Sequence, residues 1–361
     1  MELAGRVDES AKTSLDLPSP QHLQFLLRQK ERAGRWIQLI EKIWDFYLEL
    51  FGQRQTRFAD WLLACDRIAL DCYQAVYTGL GRARSIPTPP PFSYMETGFT
   101  PATFRRGVPL TRLGRRANPF PVIQLPYHRL VNPWTLGAAH HEVSHNLQSD
   151  LNLWQEVPQR IHRRLRQAGI GPMATSTWTR WHKEIWADLC GLLLGGPAIV
   201  ASLLDVVARS PRATQAFNPA GVHPTPYLRV FINLELLRRM GFPTEAEAFH
   251  RLWTRLYPSP RGSTIPRSIL DTFPVANRLV VDTICFQPYR QLGDKSLVQV
   301  IHFSPDYQKM TEEAAQRIAA GTDPGIIPAR FLVGATRYAL DHRLAPPGRI
   351  TQNFYQALSK R

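Results

Sequence analysis

The 361-residue sequence predicts a mainly α protein of α+β class, with a little β ahead of its central motif. Three observations carry that expectation. Long stretches on both sides of residue 130 show apolar residues at three- and four-residue intervals, the period of a helix that buries one face. Between them, 85–121 is dense in proline and arginine, and proline disfavours helix because it lacks the amide donor and clashes with the preceding turn. Directly afterwards, Val122-Ile123-Gln124-Leu125 lies between prolines and reads as a short edge strand, a margin where proline is tolerated.

A chain of this length can bury a sizeable core as one large domain or two smaller ones. A hydrophobic content of 44%, with 9 Trp, 17 Phe and 11 Tyr, marks a globular protein rather than a disordered one. The net charge of +15 comes almost wholly from arginine, because only seven of the 44 basic residues are lysine. Such a balance favours nucleic acid or an anionic membrane surface. The basic residues are scattered, however, and no aromatic residues are interleaved with the arginines of 105–116 and 160–166 as stacking platforms. Nucleic acid is therefore not the expected partner. Cys65, Cys72, Cys190 and Cys285 lack metal-ligand spacing. Cys65 and Cys72 fall two helical turns apart, too far for a disulfide, and are expected in the core. The N-terminus lacks the apolar centre of a signal peptide, and the longest uncharged run, Leu189 to Leu204, is broken by Gly195-Gly196-Pro197. The expectation is a soluble, cytoplasmic chain.

In chain order, residues 1–82 read as a polar tail and a helical hairpin. Leu26, Trp36, Ile40, Ile43, Trp44, Phe46, Tyr47 and Leu50 supply the inner face of its first helix, Phe58 to Tyr77 that of the second, and Gly52 the break. Residues 83–121 form a loop with a run of prolines between Pro87 and Phe92, expected to wrap the core through Phe92, Tyr94, Phe99 and Phe104 or else to act as a lid. Residues 122–260 hold the central core, and 261–361 a C-terminal helical region. Helices are expected at Thr177 to Leu194, Pro197 to Ala208, Pro224 to Met240 with Gly241 as its stop, Thr244 to Tyr257, Ser268 to Phe286, Tyr307 to Ala320, Arg330 to Ala345 and Thr351 to Leu358.

The chemistry concentrates in Asn132 to Asp150. This stretch contains His141-Glu142-Val143-Ser144-His145, an H-E-x-x-H pattern that arises by chance in about one such chain in a hundred. Residues four apart share a helix face, so both imidazoles can reach one ion, with Glu142 beside them to take a proton from water. Asn132 reads as the N-cap, Pro133 as the first helical residue, and Leu136, Ala139, Val143 and Leu147 as the apolar stripe. His140, about 100° round the helix, does not share the face.

A catalytic zinc takes three protein ligands and a water. Gln148 and Leu151 stand where H-E-x-x-H-x-x-G-x-x-H would place its last glycine and histidine, which excludes that solution. A second helix offers one instead: Glu184 and Asp188 lie four apart amid Trp181, Ile185, Trp186, Leu189, Leu192 and Leu193, apolar company in which a carboxylate needs a partner. Glu184 would be the third ligand and Asp188 the acceptor for the second N–H of a ligand histidine.

These residues, HHEVSHNL followed by EIWADLCGLLLGGPA, resemble the gluzincin class of zinc metallopeptidases, and within it the CAAX prenyl endopeptidase and HtpX-like group. That group pairs H-E-x-x-H with E-x-x-A-D, matched here by Glu184 and Ala187-Asp188. It also carries a later H-P-x-x-x-R-like element, and this chain has His223-Pro224-Thr225-Pro226-Tyr227-Leu228-Arg229. The resemblance covers about residues 130–235. It implies a zincin-like catalytic core flanked by helical regions, zinc as the cofactor, His223 as a polarising or oxyanion-stabilising residue, and Arg229 as partner of a site carboxylate such as Asp188. The chain departs from the group in lacking its transmembrane helices. The reading is a zinc-dependent endopeptidase acting on a peptide or protein. Its ligands are His141, His145 and Glu184, its general base Glu142, and Val122 to Leu125 pairs with extended substrate. A helical scaffold on a peptidase core that no longer turns over is the alternative; the complete motif counts against it.

Overall fold

A computed structural model describes residues 19–81, 89–113, 115–260 and 262–360. The expected polar tail, Ser19 apart, and the start of the proline run lie outside the described residues. The N-terminal part holds α1 (Pro20–Gly52), α2 (Ala59–Gly79), β1 (Phe92–Glu96), β2 (Ala102–Phe104), β3 (Pro109–Leu110), β4 (Arg116–Ala117), β5 (Val122–Pro126) and α3 (Tyr127–Val131). The central part holds α4 (Gly137–Asp150), α5 (Glu156–Gln167), α6 (Pro172–Gly195), α7 (Pro197–Val207), a single turn at Pro211–Thr214, α8 (Pro226–Arg239) and α9 (Pro243–Leu256). After it come α10 (Arg267–Cys285), a turn at Leu297–Val300, α11 (Pro305–Ala320), α12 (Leu332–Asp341) and α13 (Pro347–Ser359). The protein is mainly helical with a small sheet.

Contacts divide the chain into two units, 1–57 with 106–119, and 58–105 with 120–361. In the first, Ser19 caps α1 by accepting from the His22 amide, with Pro20 at the first helical position. Phe46 and Leu50 are buried, but Trp36, Ile40 and Trp44, expected on the inner face, are exposed. At 100° per residue the expected inner-face residues span an arc of about 160°, and only the edge of it that carries Phe46 and Leu50 is buried. β3 and β4 pair as a small antiparallel ribbon, and the Arg116 guanidinium lies over the Trp36 ring.

The second unit contains a three-stranded sheet in the order β1-β5-β2. β1 runs parallel to β5, with Phe92 opposite Val122, and β2 antiparallel to it, with Thr103 opposite Ile123. Val122 to Leu125 is therefore a strand, but the central one rather than the edge. The flanking prolines sit at its ends, where the Pro121 carbonyl even accepts from the Phe92 amide, so they leave the ladder whole. Both neighbours come from the proline-rich segment, whose described residues form no helix beyond the 3-10 turn Thr111–Leu113. Of its aromatic residues, Tyr94 is fully buried and donates to Gln124 Oε1, whereas Phe99 is 85% exposed.

α4 lies along α6, with α2, α7, β2 and β5 packed around it. It begins at Gly137, later than expected. Asn132 donates its amide to the His128 carbonyl and so serves the preceding turn, while Pro133–Thr135 forms a 3-10 turn of its own. The stripe Leu136, Ala139, Val143 and Leu147 is buried. Trp186 of α6 donates to the Ser144 carbonyl and ties the two helices. Gly196, at φ +71°, separates α6 from α7, and a Cβ there would strike the Phe303 ring. Among the described residues no helix is long and apolar enough to cross a membrane.

Close packing predicts one sensitive position. A Cβ on Gly79 would lie 1.9 Å from the Val300 carbonyl oxygen, a rigid backbone atom. Gly79→Ala is expected to cost about 1–3 kcal/mol, seen as a lower denaturant midpoint at unchanged slope. An unchanged midpoint would show that the Val300 turn yields freely.

Candidate metal centre

Two helices supply the centre. From α4 come His141, Glu142 and His145, and from α6 Glu184 and Asp188; the 3.6-residue period turns each pair to one side. His145 Nε2 lies 3.1 Å from His141 Nε2, and Glu184 Oε2 lies 3.3 Å from His141 Nε2 and 3.7 Å from His145 Nε2. The ligand atoms of His141, His145 and Glu184 fall within 4.8 Å of one another, a group that can hold a metal ion.

The hydrogen bonding says which atoms face that point. Asp188 Oδ1 lies 2.8 Å from His141 Nδ1. Ionised carboxylate only accepts, so Nδ1 carries the proton and Nε2 turns toward His145 and Glu184. Two ring nitrogens and a carboxylate oxygen then converge as acceptors, and this arrangement is stable only with a cation or proton between them. Asp188 is in turn held by Arg229, whose Nε and second guanidinium nitrogen donate at 2.6 and 2.7 Å, and more weakly by the Asn233 amide at 3.4 Å.

Among the protein groups alone, the electrostatics are strongly coupled. Burial disfavours charge on His141, but the Asp188 and Glu184 hydrogen bonds outweigh it and raise the ring to about 10. Burial dominates at His145 and lowers it to about 4. Burial also opposes charge on Glu184 and Asp188; hydrogen bonds from His141, His145 and His223 nevertheless hold Glu184 far below the carboxylate range, and Arg229 does the same for Asp188. Glu142 is pushed up to about 7, chiefly by burial. Its carboxylate is hydrogen-bonded by no group among the described residues, and the side chain lines a cavity of about 420 Å³ that also exposes His141, His145 and Glu184.

All seven residues singled out in the sequence thus meet here. His223 is the most exposed, at 60%, and its Nε2 lies 3.1 Å from Glu184 Oε2. Two further histidines of these helices, His140 and His182, are occupied elsewhere: His140 is buried with Nε2 donating to the Arg330 carbonyl, and His182 Nδ1 donates to the Thr179 carbonyl. Sequence reasoning missed Thr103 of β2, which hydrogen-bonds the Glu142 carbonyl and accepts from Asn146, bracing the sheet edge against α4. It also missed the cavity wall from Arg105, Trp154 and Lys183, and that from Ile199, Leu203 and Val206 of α7. Only the 3D fold brings these remote positions together, and no local pattern marks them.

Comparison with family models, curated proteins and solved structures finds no match for this chain.

Two outcomes follow from the charges. Arg229→Met would leave Asp188, 5% exposed, without its cation. A loss of about 3 kcal/mol is expected in chemical denaturation, the low end for a broken buried pair because His141 and Asn233 remain; a loss within noise would mean that Asp188 is not ionised. Divalent metal binding at pH 8 should release about one proton, since His141 must give up the proton it holds up to about 10 whereas His145 is already neutral. Calorimetric titration in buffers of different ionisation heat counts it, and zero release would contradict the assignment.

Proposed function

We propose that the protein is a zinc-dependent metallopeptidase. One observation carries the reading: a buried glutamate, Glu142, faces a cavity with no hydrogen-bond donor among the described residues, on the same helix turn as two members of a His/His/Glu group. The resemblance of these motifs to the gluzincin pattern supports it.

The donor set suits zinc. Two imidazoles and one carboxylate are a common catalytic ligand set, and spacings of 3.1, 3.3 and 3.7 Å bracket the tetrahedral edge of about 3.3 Å that bonds of about 2.0–2.1 Å require. Zinc, when bound, supplies a Lewis acid that polarises a carbonyl and makes water a stronger nucleophile at neutral pH. Glu142 takes the proton of the attacking water and returns it to the leaving amine, two roles served by a carboxyl near 7. Asp188, fixed by Arg229, keeps the His141 ring in its tautomer and orientation. His223, at the cavity mouth, donates to the developing oxyanion. β2 ends the sheet, and with Pro101, Ala102 and Thr103 on the cavity wall it offers backbone groups to an extended peptide.

The test combines metal content with turnover on a fluorogenic peptide library. Glu142→Gln should retain zinc and the melting temperature while hydrolysis falls at least about 10²-fold. Alanine at His141, His145 or Glu184 should instead deplete zinc. Equal turnover by wild type and Glu142→Gln would overturn the peptidase reading, and full zinc occupancy in Glu184→Ala would overturn the third ligand.

A further inference from the structure

α1 carries a second periodicity beside the one that buries Phe46 and Leu50. From Leu23 onward its residues recur at alternating intervals of three and four. Leu23, Lys30, Ile37, Trp44 and Phe51 form one set, and Leu26, Ala33, Ile40 and Tyr47 the other. These are the a and d positions of about four heptads, with Lys30 the one charged member, and such a seam is the kind that faces another helix. Much of it is open. Leu23, Leu27, Ile37, Ile40, Trp44 and Leu48, on the seam or at the e positions beside it, are each between 47 and 67% exposed. At about 200 Å² for a large apolar side chain, these six leave on the order of 700 Å² uncovered, more than an ordinary monomer shows and close to the roughly 800 Å² that each partner of a stable complex buries. Charge along the helix is divided. The N-terminal half carries Arg28, Lys30, Arg32 and Arg35 against Glu31, and the C-terminal half carries Glu41, Asp45 and Glu49 against Lys42.

We propose that α1 pairs with α1 of a second copy of this chain as an antiparallel coiled coil. Antiparallel pairing sets each positive half against a negative one, whereas parallel pairing sets like against like and faces Lys30 with Lys30 in one layer. A two-fold interface is self-complementary, so residue i meets j and j meets i. Centring the pair between Ile37 and Ile40 makes those two residues meet across the axis. The same register seats Trp44 against Ala33, a large side chain against a small one, and brings Lys30 near Asp45 and Leu27 near Leu48. A membrane surface is the competing cover for this face. The half that carries Trp44 and Leu48 is negative, however, and helices that lie on anionic lipid have basic polar faces. The pairing is independent of the peptidase reading.

The experiment is sedimentation equilibrium of the full chain, 41.2 kDa as a monomer. The wild type should sediment as a dimer. Ile40→Glu with Trp44→Glu should raise the dissociation constant at least about 100-fold, because both changes place charge in the buried seam. Ile40→Leu with Trp44→Phe should keep the dimer. The native thiols, all buried, serve as the folding control, since they stay unreactive while the chain is folded. Direction is read by cross-linking with a short bismaleimide. Leu27→Cys protein mixed with Leu48→Cys protein should link one to the other, while neither links to itself. A monomer at every concentration up to about 100 μM overturns the proposal. A dimer that survives the two glutamate substitutions in the folded chain does the same, as does Leu23→Cys protein linked to itself, the mark of a parallel pair. So does a monomer that floats with phosphatidylserine vesicles and is released by those two substitutions, which assigns the face to lipid.

Discussion

The contact between Arg229 and Asp188 is the constraint on which the centre depends. A carboxylate 5% exposed on α6, where it meets α4 and α8, stays ionised only with a cation held against it, and α8 brings the guanidinium to 2.6 Å. Because Asp188 is ionised it accepts only, which places the His141 proton on Nδ1 and turns Nε2 inward. The direction of one ring therefore follows from a charge two residues away in the network. His145 and Glu184 need only the helix period to complete the group.

The packing around α4 serves the same end. At Gly191 α6 runs close to the backbone of His140 and His141, where even a Cβ would make ordinary van der Waals contact at 3.6 Å. The fully buried Trp186 indole links the helices by a hydrogen bond to the Ser144 carbonyl. A group whose partners differ by a few tenths of an ångström in spacing requires that kind of rigid seating, because side chains on helices hold position better than side chains on loops.

The parts legible in the sequence are those governed by local periodicity. His141 with His145, and Glu184 with Asp188, are i, i+4 pairs, and once each segment is helical their shared face is fixed. The helices from Pro172 onward are legible in existence more than in their starts: α6, α9, α11 and α13 begin at Pro172, Pro243, Pro305 and Pro347, ahead of the expected Thr177, Thr244, Tyr307 and Thr351, whereas Gly241, with positive φ, follows α8 as expected. What could not be read depended on partners remote in the chain. The neighbours of Val122–Pro126 lie in a segment whose prolines argue against regular structure, yet Phe92–Glu96 and Ala102–Phe104 fit strands because those windows contain none. The start of α4 was misplaced since Asn132 has two ways to use its amide, and the turn behind it took precedence over the helix ahead. Nor does a composition of 44 basic residues reveal that Arg105 and Lys183 face the cavity.

The four cysteines have a different consequence. Cys65, Cys72, Cys190 and Cys285 are all reduced and buried, and burial pushes Cys190 up to about 12 with Cys72 and Cys285 also raised. Thiolate, the reactive form, is scarce at Cys72, Cys190 and Cys285 at neutral pH, and Cys65 is shielded by burial, so electrophiles and mild oxidants meet little to attack. The folded chain thus offers a nearly blank background for thiol chemistry. One cysteine engineered onto the exposed surface would carry a fluorophore or spin label selectively, and rapid modification of the native thiols would report unfolding rather than surface reactivity.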